Sequence, residues 1–386
     1  MNNAYRWSCV SSEVAWSPRD GAQLVSFEHK LFLLGGWNQY AGGRADLAGA
    51  GAGSFESEVC SEVWCSEDNG RNWSLTVTAP WSGRHMHGAV VHDGHIWVVG
   101  AENGTPDDVW KSRDGVQWEL VAATVPWPER GNPLVTVFDG SIWVMGGQVG
   151  AADQTSFVAN LKAGKPFAPA PPPLSDIWRT KDGLSWELVA DNAPWAPRGM
   201  ITGANGGVPV LHGRMWILGG GYVGTGGTTL SPLRYDLEQQ PRLKTRLYHN
   251  DVWSSADGRE WTSHLAEGKA PWPARSYHDT AAWDGKLWVL GGHRGVADCA
   301  AEVGTDGNRS DVWYSSDGEH WEELPHTPWS RRHACGIYVH EDALFLAAGN
   351  AVSISAQQVE LGKRDFTHRV EAVWLPGDVW RLDRNY

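Results

Sequence analysis

A tryptophan-bearing segment that recurs along the chain constrains the fold more than any other feature. Its clearest copy is the eleven-residue run DVWYSSDGEHW at 311–321. Related copies occupy 108–118, 176–186 and 251–261, with a looser copy at 62–73. A sixth copy begins at Asp378 but lacks its second tryptophan, and Trp7 at the other end of the sequence supplies the missing residue. One repeat unit is therefore divided between the two ends.

Each repeat unit contains four segments with the pattern of β-strands. The first follows a Trp-x-x-Arg motif, and the second is a short apolar run ending in glycine, such as LWVLGG at 287–292. Such runs are too short for helices and are rich in β-branched and aromatic residues, which favours buried strands. The third segment reads Asp-Val-Trp-x-Ser, and the fourth carries the last tryptophan. The turn between them contains Asp-Gly, in which the glycine accepts the positive φ that a tight hairpin requires.

Six units of four antiparallel strands, repeated about every 50 residues, predict an all-β fold, a six-bladed β-propeller. The divided unit closes the ring, with 378–383 as its third strand and 5–9 as its outermost strand, and this removes an open sheet edge. A linear solenoid would not explain why the two ends hold complementary halves of one unit. We expect a single domain over 1–386, whose last blade is built from about 330–386 plus 4–10.

The apolar run with Gly-Gly, followed by a tryptophan in the outer strand, resembles the kelch-repeat propellers over essentially the whole sequence. The chain departs from the usual kelch pattern, in which a tyrosine often precedes that tryptophan. Here the third strand carries a tryptophan of its own in every unit: Trp64, Trp110, Trp178, Trp253, Trp313 and Trp380. The turn at 66–73 is also similar to the Asp-box of sialidase-type propellers, a folding device that says little about chemistry.

Charge and cysteine usage narrow the classes of partner. The net charge of -13 disfavours nucleic acid and anionic membrane surfaces as partners, and no apolar run approaches the length of a membrane span. The five cysteines are odd in number and irregularly spaced, and no apolar signal core begins the sequence. These features predict free thiols and a cytoplasmic location. Because no Cys/His zinc spacing, phosphate loop or nucleophile elbow occurs, we expect neither a metal nor a cofactor.

Function is expected where the units differ. The loop between the second and third strands is brief in unit two but long in the other five units: 37–61, 148–175, 221–250, 293–310 and 350–377. Strand direction alternates, so these inserts emerge on the same face as the Trp-x-x-Arg connections, while the other face has only tight turns. We call the former the insert-rich face. Loops on a rigid scaffold are where function usually lies.

Six arginines of the Trp-x-x-Arg motifs begin the inner strands on that face: Arg19, Arg84, Arg130, Arg198, Arg275 and Arg332. In one interpretation each arginine is structural, stacking on its tryptophan and bonding backbone carbonyls. In the other, guanidinium groups face the channel mouth and bind carboxylate or phosphate. Arg19, Arg84, Arg275 and Arg332 are the candidates for ligand binding.

The residues after the arginines differ between units and supply the other candidates. His87 and His278 occupy equivalent positions in units two and five, which lie across the ring, so they are candidates for an acid–base pair. Tyr277 and Asp279 are further catalytic candidates. The candidates for ligand contact are His85, His333 and, at the start of the first insert, Trp37. The alternative is that polar residues here are ordinary kelch sequence.

Three functions remain open. The first, favoured by the resemblance to six-bladed kelch-type mutarotases that epimerise sialic acid, is isomerase-like acid–base chemistry on a small anionic molecule or sugar acid. The second is a scaffold for a peptide or protein partner. The third is a glycan-binding or glycoside-cleaving propeller, suggested by the Asp-box-like turns and the abundant tryptophan.

Overall fold

The computed structural model describes residues 4–38, 58–100, 107–149, 174–222, 247–294, 307–354, 370–374 and 377–385. These residues form six antiparallel sheets of four principal strands each around a ring. The prediction of an all-β, six-bladed propeller is therefore confirmed. Within the described ranges, no helix is long and apolar enough to cross a membrane.

The first three blades follow the chain after the N-terminal strand β1 (Tyr5–Ser11). Blade 1 contains β2 (Gln23–Phe27), β3 (Lys30–Leu34), the insert strands β4 (Trp37–Asn38) and β5 (Glu58–Val59), then β6 (Glu62–Ser66) and β7 (Ser74–Thr78). Blade 2 contains β8 (Gly88–His92), β9 (His95–Val99), β10 (Val109–Ser112) and β11 (Trp118–Ala122). Blade 3 contains β12 (Arg130–Gly131), β13 (Leu134–Phe138), β14 (Ser141–Met145), β15 (Gln148–Val149), β16 (Ile177–Thr180) and β17 (Glu187–Ala190).

The last three blades complete the ring. Blade 4 contains β18 (Ile201–Gly203), a 3₁₀ turn (Ala204–Gly206), β19 (Val210–Leu211), β20 (Arg214–Tyr222), β21 (Leu247–Ser255) and β22 (Trp261–Leu265). Blade 5 contains β23 (His278–Trp283), β24 (Lys286–Leu290), β25 (Val312–Ser315) and β26 (Glu322–Leu324). Blade 6 contains β27 (Gly336–His340), β28 (Ala343–Ala347), the insert strands β29 (Ala351–Ile354) and β30 (Val370–Trp374), then β31 (Val379–Arg384).

The N-terminal strand completes blade 6, as the divided repeat predicts. Strand β1 pairs antiparallel with β31, with Tyr5 opposite Arg384 and Trp7 opposite Leu382. Tyr5 is only 5% exposed, and its hydroxyl donates a 2.6 Å hydrogen bond to Asp284 of blade 5. Trp7 is half-buried. Tyr5 is thus the residue through which the closing strand is most deeply anchored.

A pair of tryptophans recurs at every junction between blades. The tryptophan of each Trp-x-x-Arg motif meets the outer-strand tryptophan of the blade that it introduces, nearly edge to face. In the tightest pair, Trp81 and Trp118, the ring centroids are 4.2 Å apart at 83°. The other pairs are Trp16–Trp73, Trp127–Trp186, Trp195–Trp261, Trp272–Trp321 and Trp329–Trp7. This geometry suits the ring quadrupoles and explains the fixed spacing of tryptophan in the sequence.

The tight turns between the third and fourth strands are held by their own side chains. In blade 2, Oδ1 of Asp114 accepts the backbone N–H groups of Val116 and Gln117, each at 2.8 Å. The hydroxyl of Ser112 accepts the N–H of Gly115 at 2.9 Å. Equivalent bonds occur around Asp182, Asp257 and Asp317. These aspartates are therefore engaged in folding the turns on the face opposite the inserts.

The central channel is filled by an irregularity in blade 4 that the repeat pattern does not predict. Its inner strand breaks after β18, which pairs parallel with β23 of blade 5. The 3₁₀ turn that follows contacts the inner strands of all five other blades, so it lies on the axis of the ring. At Gly206, with φ of 70°, a Cβ atom would approach the carbonyl oxygen of Val135 to 2.1 Å. Glycine is required there because the backbone packs directly on the neighbouring strand.

Candidate functional site

The six motif arginines share one buried arrangement. Each is 0–1% exposed and forms an ion pair, at 2.5–2.9 Å, with the carboxylate two residues before the third-strand tryptophan of its own blade. Each also donates to the carbonyl that ends the second strand, as Arg275 does to Gly291 at 2.8 Å. The pairs are Arg19–Glu62, Arg84–Asp108, Arg130–Asp176, Arg198–Asp251, Arg275–Asp311 and Arg332–Asp378.

These contacts match the structural interpretation of the arginines. Four of the six guanidinium groups also lie over the tryptophan of their motif, Arg84 over Trp81 among them at 5.6 Å. Burial alone would raise the pKa of Asp311, but the charge of Arg275 and its hydrogen bonds lower it. Each guanidinium is therefore neutralised inside the protein. Arg19, Arg84, Arg275 and Arg332, the candidates for ligand binding, are placed like Arg130 and Arg198.

A ring of left-handed residues closes the channel beneath the insert-rich face. The second residue after each motif arginine has φ between 50° and 59°: Gly21, Met86, Asn132, Met200, Tyr277 and Ala334. Several of them donate their N–H to the matching residue of the preceding blade, as Met86 does to Gly21 at 2.8 Å and Ala334 to Tyr277 at 2.8 Å. The side chains of Met86, Met200, Tyr277 and Ala334 form one buried apolar cluster. The inner-strand residues that follow these six positions are therefore separated from the insert-rich face.

The proposed acid–base pair, His87 and His278, follows the ring and is fully buried between blades. Nε2 of His278 lies 2.7 Å from the carbonyl oxygen of Leu218, so this nitrogen carries the proton. Burial lowers the pKa of His278 to about 3 and the pKa of His87 well below its usual value. Both imidazoles are therefore neutral at neutral pH, and each contacts the neighbouring blade.

Asp279 faces the inner strands of blades 4 and 6 at 0% exposure. Its Oδ1 accepts the hydroxyl hydrogen of Thr202 at 2.8 Å. Burial raises the pKa of Asp279 to about 8. At neutral pH this carboxyl group is therefore mostly protonated within the inner wall of the ring.

A contiguous group of polar and aromatic side chains lies on the insert-rich face in blades 5, 6 and 1, and we call it the polar sector. It comprises Tyr277, His293 and Asn308 of blade 5, His333 and Asn350 of blade 6, and Asp20 and Trp37 of blade 1. Short backbone bridges align these residues, because His333 pairs with Asn350, His293 with Asn308, and Asp20 with Trp37. Directly opposed residues in an antiparallel pair present their side chains on the same face.

The hydrogen bonds of the polar sector have a fixed direction. Nδ2 of Asn350 donates to the Asp20 carboxylate at 3.0 Å, and Nδ2 of Asn308 donates to the backbone carbonyl of Asn350 at 3.1 Å. The remaining amide oxygen of Asn308 lies 2.7 Å from Nδ1 of His333 and can only accept. His333 therefore carries its proton on Nδ1.

Two acceptors remain in this network. Oδ1 of Asn350 is buried and has no hydrogen-bond partner, and the residue is 3% exposed. Nε2 of His333 has a lone pair, since the proton sits on Nδ1, and it makes no hydrogen bond to another described residue. Burial lowers the pKa of His333 to about 3, so the ring stays neutral. Its ring centroid lies 5.6 Å from that of Tyr277 and 5.3 Å from that of His293.

The rest of the ring differs in character. His85 of blade 2 continues the sector, because its ring lies 5.3 Å from Trp37, and burial lowers its pKa to about 3. At the same position after the motif arginine, blades 3 and 4 have Gly131 and Gly199. The six blades thus repeat the backbone at this position but not the side chains. Such a difference between blades is what recognition of an asymmetric ligand requires.

Several polar-sector residues escaped the sequence analysis. His293 and Asn350 directly follow the glycine-ended runs, and Asn308 precedes the third strand of blade 5. Their position at the insert boundaries was the available signal. Two half-buried arginines, Arg294 and Arg309, adjoin His293 and Asn308 and are further cations on this face.

Among the residues that the structure describes, one group of side chains has ligand atoms close enough for a metal ion. Atoms of His249, Asp251 and Glu267 lie within 4.8 Å of one another. Both Asp251 oxygens, however, accept hydrogen bonds from Arg198, at 2.5 and 2.8 Å, and Nδ1 of His249 is 2.8 Å from Glu267. Nε2 of His249 is buried without a partner, but the guanidinium of Arg198 holds both Asp251 oxygens and would repel a cation, so the group fits a metal poorly.

Comparison with known proteins agrees with the architecture. No family model and no curated protein matches the sequence. A solved structure described as the structure of YjhT covers 90% of this chain and 94% of its own, with a TM-score of 0.57 and 12% sequence identity. At that identity the likeness concerns the fold alone, and it places the chain among proteins with the six-bladed β-propeller architecture.

Proposed function

We propose that this chain is a kelch-like propeller that binds a small polar molecule in the polar sector and carries out isomerase-like acid–base chemistry there. The observation that carries the proposal is a chain of hydrogen bonds across the sector. His333 donates to Asn308, Asn308 donates to the backbone carbonyl of Asn350, and Asn350 donates to Asp20. A histidine base whose second ring nitrogen is held by an orienting group is a recurrent catalytic arrangement. The buried His87, His278 and Asp279 support the walls of the site in this proposal.

The chemistry can be written for the opening of a cyclic sugar. Nε2 of His333 accepts the proton of the anomeric hydroxyl, the bond between C1 and the ring oxygen breaks, and the phenol of Tyr277 donates a proton to that oxygen. Closure on the other face of C1 returns both protons. Because burial holds the pKa of His333 at about 3, the imidazole is a weak base. We expect an acceleration of about 10²-fold, at the lower end for general acid–base catalysis.

The test is anomer exchange measured by magnetisation-transfer NMR on a panel of aldoses and sugar acids. The structure predicts faster exchange with wild-type protein and loss of the effect in His333→Asn, which keeps a donor to Asn308 but removes the Nε2 lone pair. Glu119→Ala serves as the control, because Glu119 is an exposed residue of blade 2 outside the polar sector. Uncatalysed rates with every member of the panel would refute the isomerase proposal.

A second function, a scaffold for a protein partner, is favoured by one observation. The residue two after the outer-strand tryptophan is an exposed leucine in blades 1, 2 and 3: Leu75, Leu120 and Leu188. In blades 4 and 5 the same position holds Ser263 and Glu323. Sedimentation of wild type and of a triple Leu→Ser variant tests self-association through this rim. A monomer in both would remove support for a copy of this chain as the partner.

A further inference from the structure

We infer that the polar sector selects an uncharged, hydroxyl-rich ligand, a neutral sugar or polyol, rather than the anion suggested by the arginine motifs. This inference rests on the proposed function and names the ligand class of the same site. It follows from which hydrogen-bonding groups of the sector are already used and which remain.

The motif arginines contribute no net positive charge at the site. Each is paired with a carboxylate of its own blade, and each also bonds a backbone carbonyl, so its donors are directed into the protein. An anion would have to compete with these contacts. Removing one partner from a buried ion pair leaves an uncompensated charge, which is strongly unfavourable.

The amide donors of the sector are also committed. Nδ2 of Asn350 and Nδ2 of Asn308 both donate within the network, and Nδ1 of His333 donates to Asn308. Apart from the indole N–H of Trp37, which is buried without a partner, the groups left over are acceptors, Oδ1 of Asn350 and Nε2 of His333. A buried acceptor without a donor carries a desolvation cost that a matching ligand group removes. A ligand that donates hydrogen bonds removes this cost at Asn350 and meets the lone pair of His333, and hydroxyl groups do so without introducing a charge.

The other described groups of the sector are consistent with such a ligand. His85 and His333 remain neutral because burial lowers the pKa of each to about 3, so neither becomes a cation that would attract an acid. The aromatic rings of Tyr277 and Trp37 adjoin His333 and His85, so apolar surface lies beside the polar groups, as the C–H side of a sugar ring requires. Arg294 and Arg309 at the margin favour an acid, and Asp20 favours an amine, so both charged classes belong in the test.

The experiment compares three probes that share one ring: D-glucose, D-glucuronate and D-glucosamine, with the corresponding galactose and mannose series. Calorimetric titration is done on the full chain at low and high salt. We expect the neutral member of at least one series to bind at least about tenfold more tightly than its acid and its amine. Tighter or equal binding of the acid or the amine in every series that binds would overturn the inference. Absence of binding by all probes would instead refute the proposed function.

Two variants locate the contact. Asn350→Ala and His333→Asn each remove one acceptor, and we expect each to weaken binding of the neutral sugar about three- to tenfold. The second variant preserves the donor to Asn308, so it keeps the test decisive if the first fails to fold. Asn132→Ala is the matched control, because Asn132 is a buried amide of blade 3 whose Oδ1 also lacks a partner. Equal losses in all three variants would contradict the assignment to the polar sector.

Discussion

Removal of the Asp176 carboxylate should destabilise the propeller far more than removal of an exposed acidic residue. Asp176 accepts hydrogen bonds from Arg130 at 2.7 and 2.8 Å, and from Nε1 of Trp178 at 2.8 Å. Arg130 is fully enclosed and also bonds the carbonyl of Gly146 at 2.9 Å. The pair therefore joins the start of the inner strand of blade 3, the end of its second strand and the start of its third.

The magnitude follows from what Asp176→Ala leaves behind. The guanidinium of Arg130 stays buried without a counter-charge, and breaking a buried ion pair in this way costs about 3–5 kcal/mol. The indole N–H of Trp178 also loses its acceptor. In the double variant Arg130→Met/Asp176→Ala the buried charge is absent, so the loss of stability should be smaller than in the single variant.

The assay is equilibrium urea unfolding followed by tryptophan fluorescence. Glu119→Ala is the control, since Glu119 is mostly exposed and lies 3.5 Å from Lys111, and such surface pairs contribute about 0–1 kcal/mol. A loss below about 1 kcal/mol for Asp176→Ala, or a double variant less stable than the single one, would refute the structural assignment of the motif arginines.

Three further predictions concern closure, thiols and pH. Tyr5→Ala should lower the free energy of unfolding by about 3–5 kcal/mol, as for other buried aromatic residues. Arg6→Ala, at an exposed position of the same strand, should leave the melting temperature unchanged. Equal melting temperatures for the two variants would contradict closure through β1. Four described cysteines are thiols outside any disulfide, and Cys9 is exposed whereas Cys60, Cys65 and Cys335 are buried. Alkylation without reductant should therefore modify Cys9 in the native protein and the other three only after unfolding; mass spectrometry that finds any of these four in a disulfide would overturn this. Burial raises the pKa of Asp279 to about 8, so the folded protein keeps a proton that the unfolded chain has already released. The free energy of unfolding should therefore fall by about 1.4 kcal/mol per pH unit as the pH rises from 6.5 towards 8. Asp279→Asn should abolish that decline in urea unfolding, and an unchanged slope would show that Asp279 is ionised in the fold. Burial lowers the pKa values of His278 and His333 to about 3, so below pH 6.5 the unfolded chain takes up protons that the folded protein does not. Each histidine should therefore lower the free energy of unfolding by about 1.4 kcal/mol per pH unit as the pH falls below 6.5.

The sequence predicts the fold because every blade uses the same packing contacts and therefore repeats the same residues at the same spacing. Trp81 and Trp118 show why, since each blade needs the same edge-to-face pair and therefore the same spacing. Closure was also predictable, because Trp7 stands where the outer-strand tryptophan of blade 6 is missing from the C-terminal end. The break in blade 4 at 204–206 was not, because a turn that fills the axis depends on all the other inner strands.

The site was only partly predictable. His333, Tyr277, His85 and Trp37 were identified because they break the repeat, and the structure brings them onto one face. The only sequence signal at Asn308 and Asn350 is their position at the insert boundaries, and the hydrogen bonds that connect them cross three blades. The arginine motifs left two interpretations open, since a guanidinium in sequence does not reveal whether a carboxylate will neutralise it.

A crystal structure of the protein soaked with the tightest-binding sugar tests the central claim most directly. We expect ligand density on the insert-rich face, with hydroxyl groups within hydrogen-bond distance of Oδ1 of Asn350 and Nε2 of His333. Density on the opposite face, or in the shallow groove beside strand β1 that is lined by Tyr5, Trp7 and Pro325, would contradict it.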